Sequence, residues 1–100
     1  LAIDSGTFTT IHSITTTTAD FEEVYIWLSN INTTQEIVTL TFGGSSDVNK
    51  VIVKVPAEST VLAVPGWTFQ GASGPNTITG ASTTANKVNV HGYINLIDAA

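Results

Sequence analysis

The fold of this chain is decided by residues 20–30, Asp20-Phe-Glu-Glu-Val-Tyr-Ile-Trp-Leu-Ser-Asn30. Successive side chains of a β-strand point to opposite sides. Three aliphatic residues of this stretch therefore fall opposite an acidic and two aromatic ones: Val24, Ile26 and Leu28 against Glu23, Tyr25 and Trp27. Bulky side chains on both faces are typical of a strand that is covered on both sides. The stretch is predicted to be a central strand, with the chain's own core on one face and a partner on the other.

Shorter stretches with period-two alternation predict the other strands. They span 7–14, 36–42, 49–55, 59–64 and 87–97, with strand-like pieces at 67–70 and 76–79 and a small-residue loop at 80–86. The third strand, 36–42, is predicted to form a hairpin with the central strand through a turn at 30–35. Pro65-Gly66 is predicted to close the fifth strand with a turn.

No part of the chain has the apolar spacing of an amphipathic helix. Seven or eight short strands separated by turns predict an all-β sandwich, jelly-roll-like and antiparallel, with little or no helix. One hundred residues suit a single domain, 1–100, in which residues 1–6 form an extended N-terminal arm. Val24, Ile26 and Leu28 are expected to pack against a set of residues from other strands: Val38, Leu40, Val51, Val53, Val90 and Ile94.

The composition excludes several classes of partner. Charged residues make up 11% of the chain, about half the usual fraction, and the net charge is −5. The only cations are Lys50, Lys54 and Lys87, so neither nucleic acid nor an anionic membrane surface is an expected partner. No leader or membrane-spanning run is visible. Without cysteine the chain has no disulfide, thiolate nucleophile or sulfur-bound metal.

No residue pattern indicates catalysis, a cofactor or a metal. His12 and His91 are the only histidines, and no further ligands stand at a recognisable spacing for zinc. Glu22 and Glu23 are adjacent, so on a strand they point to opposite sides and cannot act as a carboxylate pair. The strand-to-helix elbow that carries a serine nucleophile is absent. We therefore expect a protein that is not an enzyme.

Two aromatic residues follow Pro65-Gly66, namely Trp67 and Phe69. An aromatic side chain in such a region either stacks on a sugar or packs into a neighbouring subunit. Packing is the favoured interpretation, because no polar neighbours of fixed geometry accompany the rings.

Three segments together carry a resemblance to a known family: residues 22–30 (EEVYIWLSN), 55–66 (VPAESTVLAVPG) and 89–94 (NVHGYI). They resemble small all-β head proteins of tailed bacteriophages, the capsid decoration or cement proteins. This resemblance implies a trimer that binds an icosahedral shell near its local three-fold positions and joins neighbouring capsomers. It also implies a location on the exterior of the phage head after assembly in the bacterial cytoplasm. No catalytic residues are carried over.

These observations lead to two functional hypotheses. In the first, the chain is a non-enzymatic virion protein that trimerises through its sheets and grips the major capsid protein with its arm and loops. In the second, it is a carbohydrate- or receptor-binding module of a fibre that uses Trp67, Phe69 and residues 71–75. The residues expected at an oligomer or capsid interface are Tyr25, Trp27, Trp67, Phe69, His91 and Tyr93.

Overall fold

Two antiparallel β-sheets pack face to face in the computed structural model of the chain, which describes residues 1–14, 20–43, 49–69 and 77–98. The strands are β1 (Thr9–Ser13), β2 (Asp20–Asn30), β3 (Glu36–Phe42), β4 (Lys50–Val55), β5 (Ser59–Phe69), β6 (Thr77–Ser82) and β7 (Val88–Asp98). One sheet has the order β1-β6-β3-β4 and the other β5-β2-β7. No α-helix occurs in the described ranges, and the predicted all-β sandwich is confirmed.

The strand pairs are nested, as in a jelly roll. β3 pairs with β4, β2 with β5, and β1 with β6. Outside these pairs, Ala2 bridges to Asn89, and the Ile3 N–H donates to the carbonyl of Val88 at 2.9 Å. A long hairpin that wraps into two sheets gives this pattern. The N-terminal arm therefore occupies the place of a first jelly-roll strand beside β7, and its Ile3 is fully buried.

β2 is the central strand of the three-stranded sheet, with the predicted bounds. Its Val24, Ile26 and Leu28 are buried in the core. Five of the six predicted packing partners belong to this core or pack against it: Val38, Leu40, Val51, Val53 and Val90. Ile94 does not, since its side chain is 37% exposed. Leu1 and Ile3 of the arm pair with Val90 and Val88, which precede Ile94 on β7.

The predicted hairpin between β2 and β3 is wrong. The two strands lie in different sheets, and residues 31–35 cross between them. This arrangement lets the aliphatic face of each strand bury the other, which two neighbours in one sheet cannot do. The crossing is fixed by the buried Asn30 amide, which donates to the carbonyls of Thr34 and Val55 at 2.9 and 3.1 Å.

β5 is longer than predicted, because Pro65-Gly66 does not end it. The chain adopts a positive φ of 82° at Gly66 and forms a bulge, since Val24 pairs with Trp67 and Tyr25 with Pro65. A second irregularity pairs Trp27 with Leu62 but Ile26 with Val64. An extra residue in one strand changes which side the following residues face. Leu62 and Val64 consequently face opposite sides of the sheet, where simple alternation predicts one side.

β6 continues through Ser82, where the sequence predicts a loop from residue 80. Gly80 lies close to side chains of the two neighbouring strands. A Cβ at this position would lie 3.0 and 3.2 Å from methyl carbons of Ile11 and Leu40. A glycine that the sequence pattern places in a loop therefore allows close packing inside a central strand.

Candidate functional site

The outward side of the sheet β5-β2-β7 carries an aromatic cluster that no other part of the described chain covers. We define the open face as Tyr25, Trp27, Leu62, His91 and Tyr93. The Tyr25 and Tyr93 rings stack with centroids 4.7 Å apart and planes inclined by 17°. The Trp27 ring lies 6.4 Å from Tyr25 and 5.8 Å from Tyr93. Three large rings thus form one continuous platform.

The register of the sheet assembles this platform. Tyr25 is directly opposite Tyr93, and Trp27 is opposite His91 on one side and Leu62 on the other. Directly opposite residues of an antiparallel pair point to the same side and are close enough for their side chains to touch. The bulge at Gly66 makes room for Tyr25, because a Cβ there would come within 2.8 Å of the Tyr25 hydroxyl.

A carboxylate lies at the rim of the open face. Glu23 accepts hydrogen bonds from the Tyr25 hydroxyl and from the Asn95 side-chain amide, both at 3.1 Å. The hydrogen bond to Glu23 raises the pKa of Tyr25 above its ordinary value, with smaller contributions from partial burial and from the charge of Glu23. The rim therefore orients the Tyr25 hydroxyl and favours its protonated form.

The open face is accessible to a partner. Tyr93 is 51% and Leu62 45% exposed, and both are apolar enough to favour removal from water. On the same side of β2 and β7, beyond the polar pair Glu23 and Asn95, the opposed Phe21 and Ile97 are also exposed. Exposed apolar surface such as that of the open face marks interaction sites on soluble proteins.

Of the six residues predicted at an interface, four belong to the open face: Tyr25, Trp27, His91 and Tyr93. The other two lie at the end of the sandwich. Trp67 and Phe69 flank Phe42, with ring centroids 5.4 and 5.6 Å from it. Phe69 is buried in the chain's own core, whereas Trp67 is 38% exposed. Trp67 is separated from the open face, because it is opposite the buried Val24 and faces the inner side of the sheet.

The two histidines are in different surroundings. His12 bridges the two sheets, since its Nε2 lies 2.6 Å from Oε1 of the buried Glu22. Glu22 and Glu23 point to opposite sides, as predicted, and His91 is exposed on the open face. Within residues 1–14, 20–43, 49–69 and 77–98, no group of His, Cys, Asp and Glu is arranged to hold a metal ion.

Sequence reasoning missed Leu62 and Asn95 as parts of this site, because their contributions depend on the pairing of β2 with β5 and β7, which no local pattern encodes. Alternation placed Glu23 on the face of Tyr25 and Trp27, but Glu23 was not among the predicted interface residues. The alternation of aromatic residues in 20–30 and 89–97 was the available signal, and it identified the two tyrosines and Trp27. Residues 71–75, which the carbohydrate hypothesis uses, lie outside the described residues.

Comparisons with protein-family models, curated proteins and solved structures found no match. The described part of the chain contains no helix that is long and apolar enough to cross a bilayer. Functional inference therefore depends on the geometry of the described residues and the sequence resemblance.

Proposed function

We propose that this chain is a non-enzymatic structural protein of a bacteriophage virion. In this proposal it decorates the outside of the head and joins neighbouring subunits of the major capsid protein. The open face is the surface that binds the shell. The observation that carries the proposal is the stacked platform of Tyr25, Trp27 and Tyr93 on the uncovered side of a three-stranded sheet.

The composition of the open face favours a protein partner. Tyrosine and tryptophan are enriched at the centres of protein interfaces, where charged residues are depleted. Here aliphatic Leu62 adjoins the aromatic rings, and the charge of Glu23 stays at the rim. The chain also has few charged residues to keep a free monomer soluble, which is typical of a protein that functions within a fixed assembly.

The resemblance to phage decoration proteins supplies the identity of the partner, and it also implies a trimer. The trimer stays a prediction. The arm was expected to reach the capsid, but Ala2 and Ile3 pair with the chain's own β7. We therefore assign capsid binding to the open face in place of the arm.

The proposal predicts that the protein binds emptied, expanded capsids of the phage that encodes it and raises their melting temperature. Trp27→Ala should weaken this binding by roughly thirty-fold or more, about 2 kcal/mol, as for a hot-spot tryptophan. Binding is measured by co-sedimentation of the chain with the shells, and the shells' stability by calorimetry. Failure of the unmodified protein to bind the shell contradicts the proposal.

Leu62→Glu and Ile52→Glu form a matched pair for the same assay. Both residues are exposed aliphatic side chains in the middle of a strand, but Ile52 is in the other sheet. Only Leu62→Glu should reduce capsid binding, because it places a charge in the centre of the open face. Equal losses in the two variants would show that binding does not use this face.

A carbohydrate-binding module is the second candidate, favoured by one specific observation. The nearly parallel Tyr25 and Tyr93 rings have the Glu23 carboxylate and the Asn95 amide beside them, so the site offers both stacking and hydrogen bonding to a sugar. A glycan array tests this candidate. Loss of a glycan signal in Tyr93→Ala places the sugar on the open face, whereas loss in Trp67→Ala places it at the end of the sandwich.

A further inference from the structure

A cleft lies at one end of the sandwich, where two connections pass from one sheet to the other. These connections are residues 31–35 and 56–58, and the structure describes every residue of both. The cleft has an open volume of about 370 Å³ beside the adjoining ends of β2 and β5. Clefts of this size are typical of sites for small ligands. We call it the end cleft, and its lining residues are Ser29, Asn30, Ile31, Glu58, Ser59 and Thr60.

Hydrogen bonds fix the two connections that enclose the end cleft. The buried Asn30 amide donates to the carbonyls of Thr34 and Pro56 at 2.9 and 3.2 Å, so one side chain ties both connections together. The Glu58 N–H also donates to the Asn32 carbonyl at 3.1 Å. Because these bonds form within the chain itself, a ligand does not have to order the loops when it binds, and this lowers the cost of binding.

Glu58 has an unfavourable backbone conformation in the lining of the end cleft. Its φ is +53°, a left-handed conformation that is strained for a residue with a Cβ but not for glycine. Residues held in such conformations are concentrated at functional sites. The Glu58 side chain is exposed, so its carboxylate is accessible to a ligand. A glutamate that lowers stability at this position indicates a use for its carboxylate.

The other lining residues supply hydroxyl groups and an apolar contact. Ser29 and Thr60 are opposite each other on β2 and β5, and their hydroxyl oxygens are 2.8 Å apart. Since each hydroxyl both donates and accepts, the bonded pair still has a proton and lone pairs to offer a ligand. The Glu58 carboxylate only accepts. Ile31 is 57% exposed and adds an apolar surface to these polar groups.

This combination is suited to a neutral sugar. Sugar hydroxyls donate and accept, and the C–H groups of a sugar ring can pack on Ile31. An anion is disfavoured, because the six lining residues include a carboxylate and no cation. Calcium takes about six to eight oxygen ligands, usually with several carboxylates, and the lining has one. We propose that the end cleft binds a neutral saccharide whose hydroxyl groups bond to Glu58 and to the pair of Ser29 and Thr60.

This inference does not rest on the proposed function. Capsid binding uses the rings of the open face, whereas the end cleft begins at Ser29, the next outward residue of β2 after Trp27. It also differs from the carbohydrate candidate above, in which the sugar stacks on Tyr25 and Tyr93. Capsid binding and glycan binding are measured separately, so failure of one proposal is distinguishable from failure of the other.

A glycan array tests the class of ligand. The protein should bind neutral oligosaccharides more strongly than their sialylated or sulfated counterparts, because Glu58 repels anions. The neutral glycan with the strongest array signal is then titrated by calorimetry. Glu58→Gln should raise its dissociation constant at least roughly ten-fold, since a hydrogen bond to a charged acceptor is lost. Tyr93→Ala should leave the dissociation constant unchanged.

Glu58→Gly separates a binding role from a structural one. Glycine removes the carboxylate and relieves the backbone strain, so glycan binding should fall as in Glu58→Gln while the midpoint of urea unfolding rises. Asn86→Gly is the matched control, because Asn86 also has a positive φ, of 61°, and is not among the lining residues. It should leave the dissociation constant of the glycan unchanged.

Thr60→Val and Thr68→Val form a second matched pair. Both residues are on the outward side of β5, opposite Ser29 and Glu23 respectively, but Thr60 alone lines the end cleft. Only Thr60→Val should weaken glycan binding. Equal losses in the two threonine variants overturn the proposal. So does an affinity that Glu58→Gln leaves unchanged, a loss of binding in Tyr93→Ala, or an unmodified protein that binds no neutral glycan.

Discussion

The outward sides of the two sheets differ sharply in composition. On the four-stranded sheet the outward residues are mostly short or polar: Thr39, Thr41, Lys50, Lys54, Thr79 and Ala81, with Ile37 and Ile52. Thr41 and Thr79 hydrogen-bond to each other across the strands. On the three-stranded sheet the same kind of position carries the stacked rings of the open face.

This difference distinguishes residues that stabilise a sheet from residues that are suited to binding a partner. Cross-strand threonine pairs stabilise a sheet without exposing aromatic rings. The outward side of the four-stranded sheet is built in that way around Thr41 and Thr79, with Ile37 and Ile52 as its exposed apolar residues. The outward side of the three-stranded sheet instead gathers three rings into one cluster, which supports the proposal that the open face is an interface.

Glycines in the two sheets allow the largest test of this comparison. Gly92 lies in β7, and a Cβ there would be 2.1 Å from the backbone oxygen of Tyr25. Since a backbone atom of the central strand cannot move without disturbing the pairing, Gly92→Ala should destabilise the protein by about 3 kcal/mol or more. Urea unfolding measures this loss as a lower midpoint at an unchanged slope.

Gly80→Ala is the counterpart in the four-stranded sheet. There the new methyl group meets only the ends of the Ile11 and Leu40 side chains, which can rotate away. We expect a change within about 1 kcal/mol in either direction, because strain is offset by the lower entropy of the unfolded chain. Similar losses at both glycines would mean that β7 does not approach β2 as closely as the structure shows.

Acidic residues provide a second test, at a smaller scale. Glu36 begins β3, and its buried carboxylate accepts from Asn32 at 3.1 Å, the Thr84 N–H at 2.8 Å and the Thr83 hydroxyl at 3.0 Å. Burial alone raises the pKa of Glu36, but these hydrogen bonds outweigh it and hold the pKa below its ordinary value. Glu36→Gln turns an amide donor toward the Asn32 donor, so it should cost about 1–3 kcal/mol at neutral pH.

The pH dependence of this cost has a definite sign. A carboxyl group whose pKa is lower in the folded state stabilises the protein above the unfolded pKa, and this contribution disappears as the pH falls through the folded pKa. The stability gap between the unmodified protein and Glu36→Gln should therefore narrow in acid below the ordinary carboxyl range. Urea unfolding across this range tests the expectation, and a gap that stays constant contradicts it.

The comparison also shows what local patterns could predict. The stretches 20–30 and 36–42 have unbroken alternation, and both strands have the predicted bounds. Alternation fixes which residues share a face of one strand, so the buried Val24, Ile26 and Leu28 and the outward Tyr25 and Trp27 followed directly. Tyr25 and Trp27 are half-buried on the outward side of the sheet, and their role at an interface stays a prediction.

Pairing between strands could not be predicted in this way. The sequence contains no local signal that β2 and β3 belong to different sheets, since this depends on the buried Asn30 and its contacts with Thr34 and Val55. The bulge at Gly66 is equally nonlocal. Together with the irregularity between Leu62 and Val64, it sets Pro65 opposite Tyr25 and Trp67 opposite the buried Val24, so the predicted interface residues are divided between two sites.

Glu23 gives the smallest test, and it isolates the rim of the open face. Its carboxylate raises the pKa of Tyr25, chiefly by accepting the hydrogen bond from the hydroxyl. The chain has only two tyrosines, so in a Tyr93→Phe background the ultraviolet absorbance of tyrosinate reports Tyr25 alone. In that background Glu23→Gln should lower the pKa of Tyr25 toward its ordinary value, whereas Glu58→Gln, at an exposed carboxylate, should not change it.

The contact between Glu23 and Tyr25 also makes stability depend on pH. Because the pKa of Tyr25 is raised in the folded state, the contact stabilises the protein below the ordinary tyrosine pKa, and this stabilisation is lost as the pH rises through the raised pKa. If the pKa of Tyr25 is the same in both variants, Glu23 does not accept a hydrogen bond from the Tyr25 hydroxyl. In that case the open face lacks the polar rim that distinguishes it from the outward threonines of the other sheet.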